Sequence, residues 1–346
     1  MKYSIIIPVF NRPEEVDELL ESLLGQEEKD FEVVIVEDGS QIPCKEVCGK
    51  YADRLDLHYY QKENSGPGQS RNYGAERAGG DYLLILDSDV VLPRGYLRAV
   101  SEELDRKPAD AFGGPDRAHD SFTDTQKAIS YSMTSFFTTG GIRGGKKKLD
   151  KFYPRSFNMG IRRDVYQELG GFSKMRFGED IDFSIRIFKA GKHCRLFPEA
   201  WVWHKRRTDF RKFWRQVYNS GIARINLYRR YPESLKLVHL LPMVFTAGAT
   251  LLGLLVLTGI LLLCFPGTRA EGWRLLLTGL IPLLLYSAVI CTDSARQNHS
   301  LKIGLLSIRA AFTQLTGYGC GFISAWWKRC VCGKDEFSAY NKNFYK

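Results

Sequence analysis

Asp87 and Asp89 stand two residues apart, either side of Ser88, directly after a short apolar run at 82–86. Two carboxylates at i and i+2 in a turn at a strand's C-terminal end can face one crevice, and in open α/β sheets ligands bind in that crevice. Hard divalent cations take carboxylate oxygens, with phosphate groups commonly completing the shell. The pair therefore reads as a metal–diphosphate clamp, with a solvated turn as the plain alternative. Glu37, Asp38, Gly39 and Ser40 follow a second apolar run at the same kind of edge. A carboxylate there can accept a hydrogen bond from a nucleobase N–H, and Gly39 lets the turn close tightly. Residues 66–72, ending in Arg71 and Asn72, lead into a helix. Their backbone N–H groups and the guanidinium suit an anionic or nucleotide ligand. Further on, Gly178 precedes Glu179, Asp180 and Asp182. Three carboxylates in four residues are either partners of a helix dipole or a general base tuned by its neighbours. His204 is a structural histidine or, near a carboxylate-bound metal, a ligand. Residues 140–147 come near a P-loop but lack its Ser/Thr and follow no strand, so they read as a loop.

Positioning such residues takes a frame, and the first 115 residues supply its pattern. Apolar runs at 4–9, 31–36, 57–61 and 82–86 read as strands. The segments 13–24, 68–78 and 95–104 read as helices. The first helix has Asn11 as its cap, Pro13 near its start, and Val16, Leu19, Leu20 and Leu23 on one face. Alternating strands and helices imply βαβ units and a parallel sheet, and strands apolar on both faces agree. The pattern weakens over 116–153 and is regular again over 156–204.

The chain has 346 residues, too many for one small module at about 150 per domain. Its hydrophobic share of 44% and charged share of 25% exclude global disorder. Residues 237–265 contain no Asp, Glu, Lys or Arg, and neither do 275–292, so each is expected to span a membrane. Of the net charge of +10, much lies over 201–236, where ten Lys/Arg face Asp209 and Glu233. A basic belt against a hydrophobic anchor suits an anionic membrane surface, and suits nucleic acid less well. The expected organisation is a domain over 1–207, a basic amphipathic helix over 208–236, spans at 237–265 and 273–292, and a tail at 328–346. The apolar stripe of 208–236 lies either at the interface or against the soluble domain. Residues 303–327 carry Arg309 and Gln314 and are expected to be interfacial or re-entrant, with a third span as the alternative. Lys and Arg before the first span and after the second place the N-terminal domain in the cytoplasm. Eight scattered cysteines without a C-x-x-C pair read as reduced, and the six-residue apolar segment near the N-terminus is too short for a signal peptide.

Taken together, residues 5–11, the turn at 37–40, residues 66–74 and 86–89 resemble the donor half of family 2 glycosyltransferases. Asn158-Met159-Gly160, residues 168–172 and Gly178 to Asp182 with Arg186 resemble the acceptor half. The resemblance covers about residues 3–230. It implies a GT-A fold, a Rossmann-like, mostly parallel sheet, followed here by C-terminal membrane helices. It also implies a nucleotide-sugar donor and an inverting transfer. Carried over, Pro8, Phe10, Glu37, Asp38, Arg71, Asp87 and Ser88 would bind the donor. Asp89, Asp87 and His204 would hold Mg²⁺ or Mn²⁺, and Asp180 would be the catalytic base with Glu179 beside it. The Q-x-x-R-W signature of processive synthases is missing from 211–216, which favours transfer of a single sugar over extrusion of a polymer. A lipid-linked or other glycan acceptor at a bacterial inner membrane, serving surface polysaccharide or glycolipid synthesis, is the expected setting. A processive synthase and a catalytically silent scaffold are the rival readings.

Overall fold

The computed structural model describes residues 2–117, 119, 121–140, 152–175 and 177–334. Along the chain the elements are β1 (Tyr3–Val9), α1 (Pro13–Leu24), β2 (Phe31–Asp38), α2 (Lys45–Gly49), β3 (Leu57–Lys62) and α3 (Pro67–Ala75). Then come β4 (Tyr82–Leu86), β5 (Val90–Val91), α4 (Tyr96–Arg106), β6 (Ala111–Gly113), β7 (Asp116–Arg117), α5 (Asp124–Thr134) and α6 (Phe136–Thr139). After these follow β8 (Asn158–Arg162), α7 (Arg163–Glu168), α8 (Glu179–Lys189), β9 (Cys194–Leu196), β10 (Val202–His204) and α9 (Phe210–Arg230). The chain continues through α10 (Leu241–Leu263), α11 (Arg269–Asn298) and α12 (Leu301–Trp326). Two compact units result, one from 2–119 and 152–205, the other from 121–140 and 206–334.

The first unit is built on a seven-stranded sheet ordered β3-β2-β1-β4-β8-β6-β9. It is mostly parallel, and β8 runs antiparallel to both β4 and β6. Ile5, Ile7, Val33, Ile35 and Leu84 pack on one face under α1 and α4. Ile6, Val34, Val36, Leu83 and Ile85 pack on the other with Val165, Phe183 and Ile187. Coverage of both faces is what makes these strands unbroken apolar runs. A second, three-stranded sheet, β5-β10-β7, lies beyond the end of β4. Asn11 is not the cap of α1. Arg12 holds that position, and Asn11 adopts φ 54, with its side-chain oxygen accepting from Gln41 N (2.8 Å) and Ile42 N (3.0 Å). It ties the β1–α1 turn to the loop after β2.

The second unit is helical, and residues 121–140 belong to it rather than to the sheet. The apolar stripe of α9 is covered from within: Phe213 and Val217 cluster with Ile303 and Ala310 of α12, and Ile225 with Phe322 and Ala325. The helices meet backbone to backbone. A Cβ on Gly321 would lie 2.0 Å from Tyr218 O, and one on Gly221 would lie 2.2 Å from Tyr318 O. Small residues allow such approach where apolar packing must hold helices together. Arg211, Lys212, Arg215 and Arg229 stay on the exposed side of α9. The stretches Leu237–Leu263 and Pro266–Asn298 contain apolar windows with mean hydropathies of 2.2 and 2.1 and are long enough to cross a membrane. Only 6% and 11% of their apolar windows are buried, unlike core helices of a soluble fold. The glycine- and lysine-rich segment at 141–148 and the tail from 335 onward lie outside the described residues.

Candidate active site

The C-terminal ends of β1, β2 and β4 open on one edge of the sheet. Glu37, at the end of β2, is fully buried. Its oxygens accept from Ser40 Oγ, Cys44 N (2.7 Å) and Tyr59 OH (3.3 Å), so it pins the loop after β2. Asp38 accepts from Ser65 N (2.9 Å), Gly66 N (2.8 Å) and the Lys62 ammonium. Asn64 closes on the Asp38 carbonyl at 2.8 Å. That approach needs Gly39 at φ +72, since a Cβ there would meet Asn64 N at 2.8 Å. Both acidic residues of this turn thus spend their oxygens on building the loops 40–44 and 63–66. Pro8 and Phe10 lie half-buried at the end of β1.

The turn after β4 carries Asp87, Ser88 and Asp89, with Ser88 and Asp89 nearly buried. Antiparallel pairing of β5 with β10 sets His204 opposite Val90, and so beside Asp89. His204 Nε2 lies 3.2 Å from Asp89 Oδ1, and Phe157 stacks on the imidazole at 4.7 Å. Ligating atoms of Asp87, Asp89 and His204 all lie within 4.8 Å of one another. His204 Nδ1 is buried with no hydrogen-bond partner among the described residues. Two carboxylates and an imidazole form a donor set that suits a divalent cation. Arg12 Nη1 lies 2.6 Å from Asp89 Oδ2 and balances part of the charge.

Arg71 connects this cluster to the second acidic group. Its side chain is buried, with Nη2 2.7 Å from Asp87 Oδ1 and Nη1 3.1 Å from Glu179 Oε1. A planar fork with fixed donors suits such bridging. Gly178, at φ +86, turns the chain into α8, so Glu179 and Asp180 fall in the first helical turn. Asp180 accepts from Ile181 N at 2.8 Å and lies 3.2 Å from Arg155 Nη1. Asp182, the third acid of the segment, points elsewhere: it pairs with Arg186 at 3.1 Å, and Arg186 donates to the carbonyls of Leu169 and Gly171. That pair anchors the loop before α8. The structure therefore joins Asp87, Asp89, His204, Arg71 and Glu179, with Asp180 adjoining, and sets Glu37, Asp38 and Asp182 to building loops.

Burial pushes the Glu179 carboxyl up to about 7, against the opposing pull of Arg71, with Asp180 adding to the rise. A carboxyl raised from 4.5 binds its proton more tightly in the folded state. Its stabilising contribution is whole below pH 4.5 and is lost as pH climbs to 7. The unfolding free energy of the detergent-purified protein is expected to fall between pH 5 and 8 by an amount on the order of 1–3 kcal/mol, read as a falling apparent Tm. Glu179→Gln should flatten that slope, and an unchanged slope in the variant would assign it to other groups.

Sequence reasoning missed Arg12, Lys62 and Arg155, which partner Asp89, Asp38 and Asp180. Arg12 carries one readable signal, a cation directly beyond the first strand. The other two carry none.

A mostly parallel α/β sheet, with acidic groups gathered at its C-terminal edge, is a fold of the GT-A glycosyltransferase class. Residues 4–170 match the family model Glycosyl transferase family 2. It is 24% identical over 339 residues to the pre-mycofactocin glycosyltransferase of Mycobacterium tuberculosis, covering 88% of this chain and 66% of that protein. It is 34% identical over 114 residues to the poly(ribitol-phosphate) beta-N-acetylglucosaminyltransferase TarS of Staphylococcus aureus, covering 32% of this chain and 20% of that protein. The chain thus spans less than two thirds of the length of these curated relatives. Among solved structures, the mannosyltransferase PcManGT from Pyrobaculum calidifontis, in complex with GDP-Man and Mn²⁺, shares the fold. The TM-score is 0.58 at 15% identity, over 95% of this chain and 88% of that one.

Proposed function

We propose that this protein is a membrane-anchored, metal-dependent, inverting glycosyltransferase that moves one sugar from a nucleotide-sugar donor to an acceptor hydroxyl. The observation that carries the reading is the continuous charged array from His204 and Asp89 through Asp87 and Arg71 to Glu179. Mg²⁺ or Mn²⁺ held by Asp87, Asp89 and His204 would offset charge on the leaving diphosphate; the imidazole favours Mn²⁺. Asp180 takes the acceptor hydroxyl proton as the oxygen bonds to the anomeric carbon, and the bond to diphosphate breaks with its electrons leaving on phosphate. Arg155 and the Ile181 N–H fix the direction of the Asp180 carboxylate. Pro8, Phe10 and Ser88 line the donor side. Asp38 and Glu37 serve the nucleotide by holding the loops that enclose it.

Two spans, α10 and α11, anchor the chain, with the catalytic unit on the cytoplasmic side where the basic belt meets anionic lipid. For α12 the reading is interfacial. Near its start Gly304 abuts Cys291 and Ala295 at the end of α11, and Gly319 abuts Pro242 and Thr246 at the start of α10. Two points on α12, 15 residues apart, thus meet the same membrane side of the spans. An anchored enzyme shares the bilayer plane with a lipid-linked acceptor, and that acceptor class fits surface polysaccharide or glycolipid synthesis at a bacterial inner membrane.

UDP-, GDP- and dTDP-sugars screened with Mn²⁺ should reveal one that raises the apparent Tm, since a ligand at 100 times its Kd stabilises by about 2.7 kcal/mol. Asp89→Ala is expected to lose the Mn²⁺-dependent part of that shift, with donor affinity at least about tenfold weaker, or about 1.4 kcal/mol. No stabilisation by any nucleotide-sugar, or an Asp89→Ala protein that binds donor with Mn²⁺ as the parent does, would overturn the reading.

A further inference from the structure

We propose that α6, with the end of α5, forms a re-entrant aromatic wedge that dips into one leaflet of the bilayer, placing Phe136 and Phe137 among lipid acyl chains. The inference rests on the reading of α10 and α11 as membrane spans.

The depth of the wedge follows from its neighbours. Asp124 pairs with Lys302 at the start of α12, Tyr131 OH bonds to Asp293 at 2.6 Å, and Tyr286 OH donates to Phe137 O at 3.3 Å. From Tyr131 to Phe137 the chain thus moves from Asp293 toward Tyr286, into the charge-free stretch of α11. Tyr286 packs on Phe245 of α10 at 5.2 Å and on Phe312 of α12 at 5.6 Å, which marks one level on three helices. At 1.5 Å per residue, Tyr286 lies roughly 9 Å inside the end of its charge-free stretch at Thr292. Phe245 lies roughly 12 Å inside the start of its own stretch at Leu237. Two independent helices therefore put the tip about a third of the way into a hydrocarbon layer of about 30 Å. Gly140 then returns to the start of α10, where a Cβ would meet Val238 at 3.2 Å.

The segment is also built for a medium without water. There, backbone polar groups must find partners within the protein. Phe137 N donates to Ser135 Oγ, Thr138 N and Thr139 N to Ser135 O, and Gly140 N to Phe136 O. The Thr138 hydroxyl donates to Ser132 O and the Thr139 hydroxyl to Ser135 O. The two rings, in contrast, point outward: Phe136 is 71% exposed and Phe137 46%. Their level is continuous with outward-facing Val244, Leu284, Leu285 and Val289 on the spans. That continuity assigns the rings to lipid rather than to a second copy of the chain.

The test places an environment-sensitive fluorescent amino acid at the position of Phe136, Leu284 or Lys127 in the full chain, in nanodiscs with lipids spin-labelled near the headgroup or deep in the acyl chain. The expected result is blue-shifted emission at 136 and at 284, both quenched more by the acyl-chain label than by the headgroup label and to a similar depth, and neither blue shift nor quenching at 127. Red emission at 136 with 284 quenched would overturn the wedge while leaving the spans standing. Blue emission at 136 without lipid quenching would also overturn it, in favour of a protein contact. An unquenched probe at 284 would overturn the membrane reading itself, and the wedge with it.

Discussion

Asp180→Asn is expected to lower kcat by about 10²–10⁴, the range that a positioned general base contributes, and to leave donor affinity unchanged. The two acids of the pair touch different groups. Glu179 gives an oxygen to Arg71, which also holds Asp87, so removing it disturbs the donor side as well as the acceptor side. The Asp180 oxygens instead meet Ile181 N and Arg155, and in the proposed reaction they face the acceptor. Asparagine keeps the shape and can still accept from the Ile181 N–H, but it cannot take a proton at neutral pH. Single-turnover rates with saturating donor measure the chemical step, and nucleotide titration by calorimetry measures binding. A variant that turns over at the parent rate sinks the base assignment. A variant that loses donor binding shows that Asp180 belongs to the nucleotide side.

The strands and the acidic motifs were legible because each is local. Ile5 to Val9 and Val33 to Val36 are unbroken apolar runs since both sheet faces are covered, and a run shows in sequence. Asp87 and Asp89 sit in a turn whose place follows from the strand before it. The partners of those acids were not legible. Arg12 lies 77 residues from Asp89 and Arg155 lies 25 from Asp180, and no periodicity records a pairing across such separations. Glu37 and Asp38 show a subtler limit. Sequence marks a carboxylate at a strand's end but does not say whether its oxygens face a ligand or a loop, and here the loops 40–44 and 63–66 claim them. Residues 121–140 misled for another reason. Their neighbours in sequence fold on the sheet, but the apolar face of α5, with Ala128, Ile129 and Met133, is complementary to α12 some 180 residues on. Likewise the stripe of α9 has one pattern whether its cover is lipid, a sheet or another helix; only the glycine contacts with α12 identify the cover.

Arg71→Met is expected to be the most damaging single change in the first unit. The guanidinium is buried and serves Asp87 and Glu179 at once, so methionine keeps much of the volume and strands two carboxylates. Breaking a buried ion pair by deleting one partner costs about 3–5 kcal/mol, because the remaining charge has neither water nor counter-ion. Asp87 is partly exposed and recovers some hydration, so the greater share of the penalty falls on Glu179. Without Arg71 the carboxyl of Glu179 loses the pull that opposes its rise, so the loss of stability with pH should continue to higher pH and grow in total. Transfer activity is expected to fall with stability, since Asp87 and Glu179 lose the atom group that sets their spacing. Arg71→Lys should not restore it, because one ammonium cannot reproduce two divergent N–H donors. The deciding measurement is a double-mutant cycle at pH 8. Adding Glu179→Gln to Arg71→Met should recover part of the lost Tm by removing the stranded charge, while activity stays low. If the two changes are instead additive in stability, Arg71 and Glu179 are not coupled, and the charged array that joins the metal cluster to the acceptor side does not act as one unit.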